Sequence, residues 1–231
     1  MIDYMMTAIL FAALTIVVYL LMNFIYVRFR RTILTPVLTA TFSIVLILLL
    51  FDVSYDSYML GGDWVASFLG PAVVALAVPL YQHRQLLMEN LWPISAGILA
   101  GVVVGMTSGV LFAKLFGFSE ELVLTVLPKS LTTPVAMDVA ASLGGIPSLA
   151  AVFVMVAGFS GIILGPPFMK WLGIDTPLGR GLGLGASAHG LGTAKAFEYG
   201  PQDASMSSVA MTVSAVFGSL LGPVVAWLFF I

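Results

Sequence analysis

Apolar residues run through this chain in blocks long enough to cross hydrocarbon, and toward the C-terminus those blocks alternate with stretches that break the pattern. Crossing a bilayer takes about 20 apolar residues. On that measure residues 5–27 form a first span and residues 33–51 a second, with a very short turn at Arg28, Arg30 and Arg31 between them. A polar loop with Asp52, Asp56 and Asp63 follows. Residues 65–81 are apolar but carry Gly70, Pro71 and Pro79, which predicts a short, bent span. His83, Arg84 and Glu89 occupy the next loop. Residues 91–116 make a long span in which Gly97, Gly101, Gly105 and Gly109 recur at every fourth position, a row that lets another helix approach closely. Residues 122–145 are less apolar and are broken by Pro128 and Pro134; residues 146–169 are again a long apolar span. Residues 182–200 are rich in glycine and polar groups, and residues 204–231 form a last span.

The two broken stretches repeat each other. TPVAMD at 133–138 corresponds to TAKAFE at 193–198, and the same offset pairs Ser148 with Ser208, Ala150 with Ala210, and Gly158 with Gly218. FSGIILGP at 159–166 corresponds to FGSLLGP at 217–223 with a small deletion. Each unit is therefore a polar, interrupted segment followed by a long apolar helix, the pattern of a transporter built from internal repeats. The expected fold is an all-α polytopic membrane protein with six full spans plus two re-entrant or broken helical segments. The chain reads as a single transmembrane domain, 1–231, with scaffold-like spans in 1–118 and repeat units at 122–172 and 182–231.

Composition agrees. Of 231 residues, 60% are hydrophobic and 9% charged, with mean hydropathy +1.10. Soluble domains carry about 25% charged residues, so too few charges are present to cover a water-facing surface. The net charge of −2 and the lack of a basic stripe point away from nucleic acid. The absence of cysteine rules out disulfides, thiol catalysis and thiolate metal sites. The N-terminal MIDYMM has an acid where a signal peptide has positive charge, so the first apolar block is read as a retained span.

Lysine and arginine in short loops set orientation. Arg28, Arg30 and Arg31 go to the cytoplasm, which puts the N-terminus outside and the 52–63 loop outside with it. If 122–145 enters and leaves on one face, Lys170 and Arg180 also fall inside, in accord with the rule, and the two repeat units are inverted; a full crossing makes them parallel and puts those cations outside. The inverted arrangement is favoured. The C-terminus lies outside in both arrangements.

Ionisable groups at bilayer depth cost about 2.5–3.5 kcal/mol each on insertion scales, so they tend to line a pathway. Lys129, Asp138, Lys195, Glu198 and His189 stand in the broken segments. Helices that restart after a break offer free N–H groups and a positive dipole end, which suits an anion. The expected contacts to a small carboxylate are Lys129, Ser130, Thr132, Thr133, Ser187, His189, Gly192 and Thr193, and the expected ion-coupling residues are Asp138, Glu198 and Lys195. Plainer roles compete. Lys195 and Glu198, three apart, suit a pair on one helix face; Lys129 suits snorkelling to an interface; His189 suits a buried hydrogen-bonding residue; Thr132 and Thr133 suit helix caps; the glycine row suits packing. GLGLGASAHG is no dinucleotide fingerprint, because no βαβ unit surrounds it. No catalytic residue, metal or cofactor is expected.

LGPAVVALAVPLY, LPKSLTTPVAMD, GGIPSLAAVFV, ASAHGLGTAKAFE and MSSVAM together resemble the LrgB/CidB family of bacterial membrane proteins, from about residue 60 to the end. Asp138 stands where many relatives carry glutamate. The resemblance implies a bacterial inner-membrane protein and two kinds of function. One is transport of small monocarboxylates of the pyruvate, glycolate and glycerate type, for which Asp138 or Glu198 is read from the residues as the group that couples a proton or sodium ion. The other is holin-like or antiholin-like regulation of murein hydrolase activity with a smaller LrgA/CidA-type membrane partner. So short a chain provides little scaffold of its own, which points to a homo-oligomer.

Overall fold

The computed structural model describes residues 2–29, 34–68, 71, 74, 77–82 and 84–230. These fall into two compact units divided between Ala72 and Val73. Arg30, Arg31 and His83, and much of the expected 65–81 span, lie outside the described residues.

In the first unit, α1 (Ile2–Phe29) and α2 (Pro36–Leu50) pack around Val18, Ala40 and Ile44. Helix α2 has 15 residues, about 22 Å at 1.5 Å per residue, short of the ~30 Å hydrocarbon layer. The expected polar loop at 52–63 is instead largely helix α3 (Tyr55–Ala66). Ser54 caps it by accepting from the Ser57 N–H, and Asp56 sits in the first turn, where a negative charge suits the helix dipole. Tyr58 ties α3 to α1 through a 2.9 Å hydroxyl contact with Thr15 and an edge-on contact with Phe11.

The second unit contains α4 (Ala77–Gln82), α5 (Arg84–Glu89), α6 (Leu91–Leu115), α7 (Glu120–Val126), a 3₁₀ turn (Leu127–Ser130), α8 (Thr133–Leu143), α9 (Pro147–Trp171), α10 (Pro177–Ala196) and α11 (Pro201–Phe230). Helix α6 carries two adjacent stripes of period four. Ile94, Ile98, Val102, Met106 and Val110 are buried against Leu127, Leu131, Val139 and Val209, while the glycine row runs beside them one residue earlier. Among the described residues four helices are long and apolar enough to cross a membrane: Tyr4–Phe29, Leu91–Leu115, Pro147–Trp171 and Pro201–Phe229.

Both interrupted stretches fold back on themselves. In the first, the Ile146 N–H donates to Thr125 Oγ1 at 2.8 Å; 21 residues of unbroken helix would hold these apart by about 30 Å. Gly144 closes α8 in a left-handed conformation (φ 87) and turns the chain back beside Thr125. In the second, Arg180 stacks over the Tyr199 ring at 5.3 Å and its Nε donates to Asp203 Oδ1 at 2.7 Å. The reversal in α10 occurs at His189, whose φ 50 and ψ −124 are not helical. The returning arm presses on the descending arm so closely that a Cβ at Gly192 would lie 1.9 Å from the Leu184 carbonyl oxygen. The first hairpin has its base at the N-terminal end of α9, and the second has its base beyond the C-terminal end.

Candidate functional site

Chain breaks place the polar groups here, and small residues admit them. Pro128 opens the 3₁₀ turn and Pro134 lies in the first turn of α8, so the chain between them cannot continue as one helix. The turn brings Lys129 and Ser130 against the middle of α6. A Cβ at Gly105 would lie 2.6 Å from Ser130 Oγ, and one at Gly109 would lie 2.9 Å from Lys129 Cε. The tip of the second hairpin reaches the same stretch of α6. Ala186 comes to 3.9 Å from a Cβ at Gly101, Ala188 to 2.7 Å from one at Gly161, and Leu191 to 3.0 Å from one at Gly158. Gly105 and Gly101 are one turn apart, so the two tips meet near the midpoint of α6.

The packing is reciprocal. Leu191 sits on Gly158 of α9, and Leu131 sits on Gly218 of α11. These are the residues paired by the sequence repeat. Likewise Leu184 contacts Gly165 and Leu127 approaches Gly222, the glycines of the two matched LGP strings. Each hairpin thus packs against the long helix of the other unit, as an isologous interface does.

Between the tips lies a cavity of about 680 Å³, lined by Lys129, Ser130, Ser160, Ser187, Gly101 and Gly105 among others. Lys129 Nζ donates to the Gly105 carbonyl at 2.9 Å and to Ser130 Oγ at 3.3 Å. Among the described residues no carboxylate pairs with it. An ammonium in a cavity with no counter-charge, flanked by hydroxyls, suits a small anion.

The expected contacts divide. Lys129, Ser130 and Ser187 line the cavity; Thr132, Thr133, His189, Gly192 and Thr193 are not among its lining residues. Thr132 stands at the N-cap position of α8 without a capping hydrogen bond, its Oγ1 buried and unpartnered, and His189 is buried with both ring nitrogens unpartnered. Thr193 shares a 3.0 Å hydroxyl contact with Ser207 on α11, and Gly192 is accounted for by the closeness of the two arms. Lys195 donates to Glu198 at 2.5 Å near the base of the second hairpin, and Asp138 is exposed on α8, so these three stand away from the cavity. The glycine row, expected to serve packing, lines the cavity at Gly97, Gly101 and Gly105, and Ser160 was not among the expected contacts. Period-four small residues opposite a broken segment, and the Ser-Gly pair within FSGIILGP, were the available signals.

Comparison with known proteins completes the description. The LrgB-like family matches residues 15–228. The chain is 54% identical over 224 residues to uncharacterized protein YxaC of Bacillus subtilis (strain 168), covering 97% of each chain. It is 35% identical to holin-like protein CidB of Staphylococcus aureus (strain Mu50), covering 96% of this chain and 97% of that one. It is 38% identical to uncharacterized protein YwbG of B. subtilis (strain 168), covering 88% of this chain and 90% of that one. No solved structure matches.

Proposed function

The chain belongs to the LrgB-like family, and from that premise we propose that it is a secondary transporter of small monocarboxylates in the bacterial inner membrane. The observation that carries this reading is the unpaired Lys129 ammonium in a serine-lined cavity where two chain breaks meet. In it the substrate carboxylate bridges Lys129, Ser130 and Ser187, and the rest of a two- or three-carbon acid occupies the apolar part of the cavity. The two hairpins are re-entrant, and the units they begin are inverted repeats. The folded-back geometry and the reciprocal contacts support this arrangement, which is the one transporters use for alternating access about a central site. Both termini lie outside. Asp138 is left as the coupling carboxylate for a proton or sodium ion, because Glu198 is held by Lys195.

Radiolabelled pyruvate or glycolate uptake into proteoliposomes tests the proposal. Saturable flux that is lost in Lys129→Met is expected. No flux of any two- or three-carbon acid, with protein shown to be folded, overturns it. The native chain has no thiol, so single cysteines report topology cleanly: position 143 is reached from outside and position 176 from inside if the hairpins are re-entrant.

The name of the S. aureus relative, holin-like protein CidB, favours a second reading. In it the chain regulates murein hydrolase activity through an LrgA/CidA-type membrane partner. Reconstitution without any partner separates the two, since an autonomous transporter keeps its flux and a subunit loses it.

A further inference from the structure

Two independent costs fall on His189. Its backbone stands at φ 50, ψ −124, the first central position of a type II′ turn, which glycine adopts freely and a residue with a Cβ adopts only under strain. Its side chain is 3% exposed and neither ring nitrogen has a hydrogen-bond partner. A neutral imidazole has one donor and one acceptor, so both are wasted in this position. Glycine at 189 would remove both costs, and glycine is otherwise abundant in this hairpin. Strain of this kind persists only where the surroundings impose it, and it gathers at ligand clamps and switches.

The surroundings leave the tip room to change. Gly190 is exposed, with nothing within 4 Å of where its Cβ would stand. Ser187, two residues before His189, lines the cavity beside Lys129 and Ser130. Rotation of the peptide between His189 and Gly190 relaxes the turn and redirects the tip with little obstruction.

We infer that His189 is a ligand-gated contact of the transport site: its imidazole leaves the buried slot and donates a hydrogen bond to a monocarboxylate held in the cavity, and the relaxing turn closes the hairpin tip over the anion. The inference rests on the transport reading for the identity of the anion, while the strain at His189 stands apart from it.

Three variants and one label test this. In the absence of substrate, H189G is expected to melt above both wild type and H189A, because alanine keeps the strained backbone. A single thiol at G190C, labelled with a maleimide in liposomes, is expected to change its rate at least fivefold on adding pyruvate, and to lose that response when H189G is added. H189A is expected to raise the KM for uptake at least tenfold. H189G melting at or below H189A overturns the strain. An unaltered pyruvate response in H189G/G190C, or a wild-type KM in H189A, overturns the contact while leaving the transport reading intact. Absence of monocarboxylate flux in the wild type instead overturns the transport reading, and the gated contact with it.

Discussion

Two glycines in the second hairpin, two positions apart, are expected to answer the same substitution with opposite signs. At Gly192 a Cβ would lie 1.9 Å from the Leu184 carbonyl oxygen, 2.7 Å from its carbon and 3.0 Å from Ala188 Cβ. The nearest obstacle is backbone, so no rotamer change relieves it; the arms must separate by roughly 1.5 Å to restore ordinary contact. The descending arm has nowhere to go, because Gly181 and Gly185 already press it onto α11, with Cβ positions 2.6 Å from the Asp203 carbonyl and 2.2 Å from the Ser207 carbonyl. Overpacking of this kind costs about 1–3 kcal/mol, here toward the upper end. The gain from replacing glycine by alanine in a helix, about 1 kcal/mol, offsets part of that. Gly192→Ala should therefore lose roughly 2 kcal/mol, a melting shift of about 4–8 °C for a chain of this size. Gly190 has open space around it and no positive φ, so Gly190→Ala should gain up to about 1 kcal/mol. The assay is thermal melting of purified protein in detergent, followed by tryptophan fluorescence. A Gly192→Ala protein that melts at or above wild type would refute the folded-back hairpin, since a straight helix has no such contact.

Removing Arg180 alone strands Asp203, which is 2% exposed, so the melting order should be wild type, then R180A/D203A, then R180A, because an unpaired buried carboxylate is worse than none; a double-mutant cycle measures it. Thr125→Val removes the acceptor for the Ile146 N–H and should cost about 1–3 kcal/mol by chemical or thermal unfolding. Glu198→Gln should leave the stoichiometry of ion-coupled flux unchanged, because its side chain pairs with Lys195 near the hairpin base; loss of coupling would return Glu198 to the pathway. Gly218→Ala should destabilise more than Gly158→Ala, since the partner leucines stand 2.0 Å and 3.0 Å from the added Cβ, and paired melting curves decide it.

Much of the scaffold was visible in the linear pattern. Long apolar blocks became α1, α6, α9 and α11, because hydrocarbon-length apolar runs have little choice but helix. Pro128 and Pro134 announced the first break, and the glycines around His189 announced the second. Other features were hidden. The polar stretch at 52–63 looked like a loop because its helix is held by capping at Ser54 and by Tyr58 reaching Thr15 on α1, and neither shows as periodicity. The eight expected ligand contacts separated once the tips were placed: Lys129, Ser130 and Ser187 face the cavity, while Thr132, His189 and Thr193 are turned into packing. Ser160 sits in an ordinary apolar span and shows itself only when Gly161 beside it admits the hairpin tip.

From the amino-acid order alone came the membrane setting, the places where helices must stop, and the repetition of one broken unit. Those are consequences of local chemistry: the cost of exposing polar backbone to lipid, the missing N–H of proline, and the pairing of like residues at one offset. Which side of each break faces its neighbour, which cation faces the cavity, and which residue bears strain were decided by tertiary packing. Helix–helix distances set by glycines and leucines far apart in the chain control these features, and one-dimensional periodicity carries no information about what stands opposite.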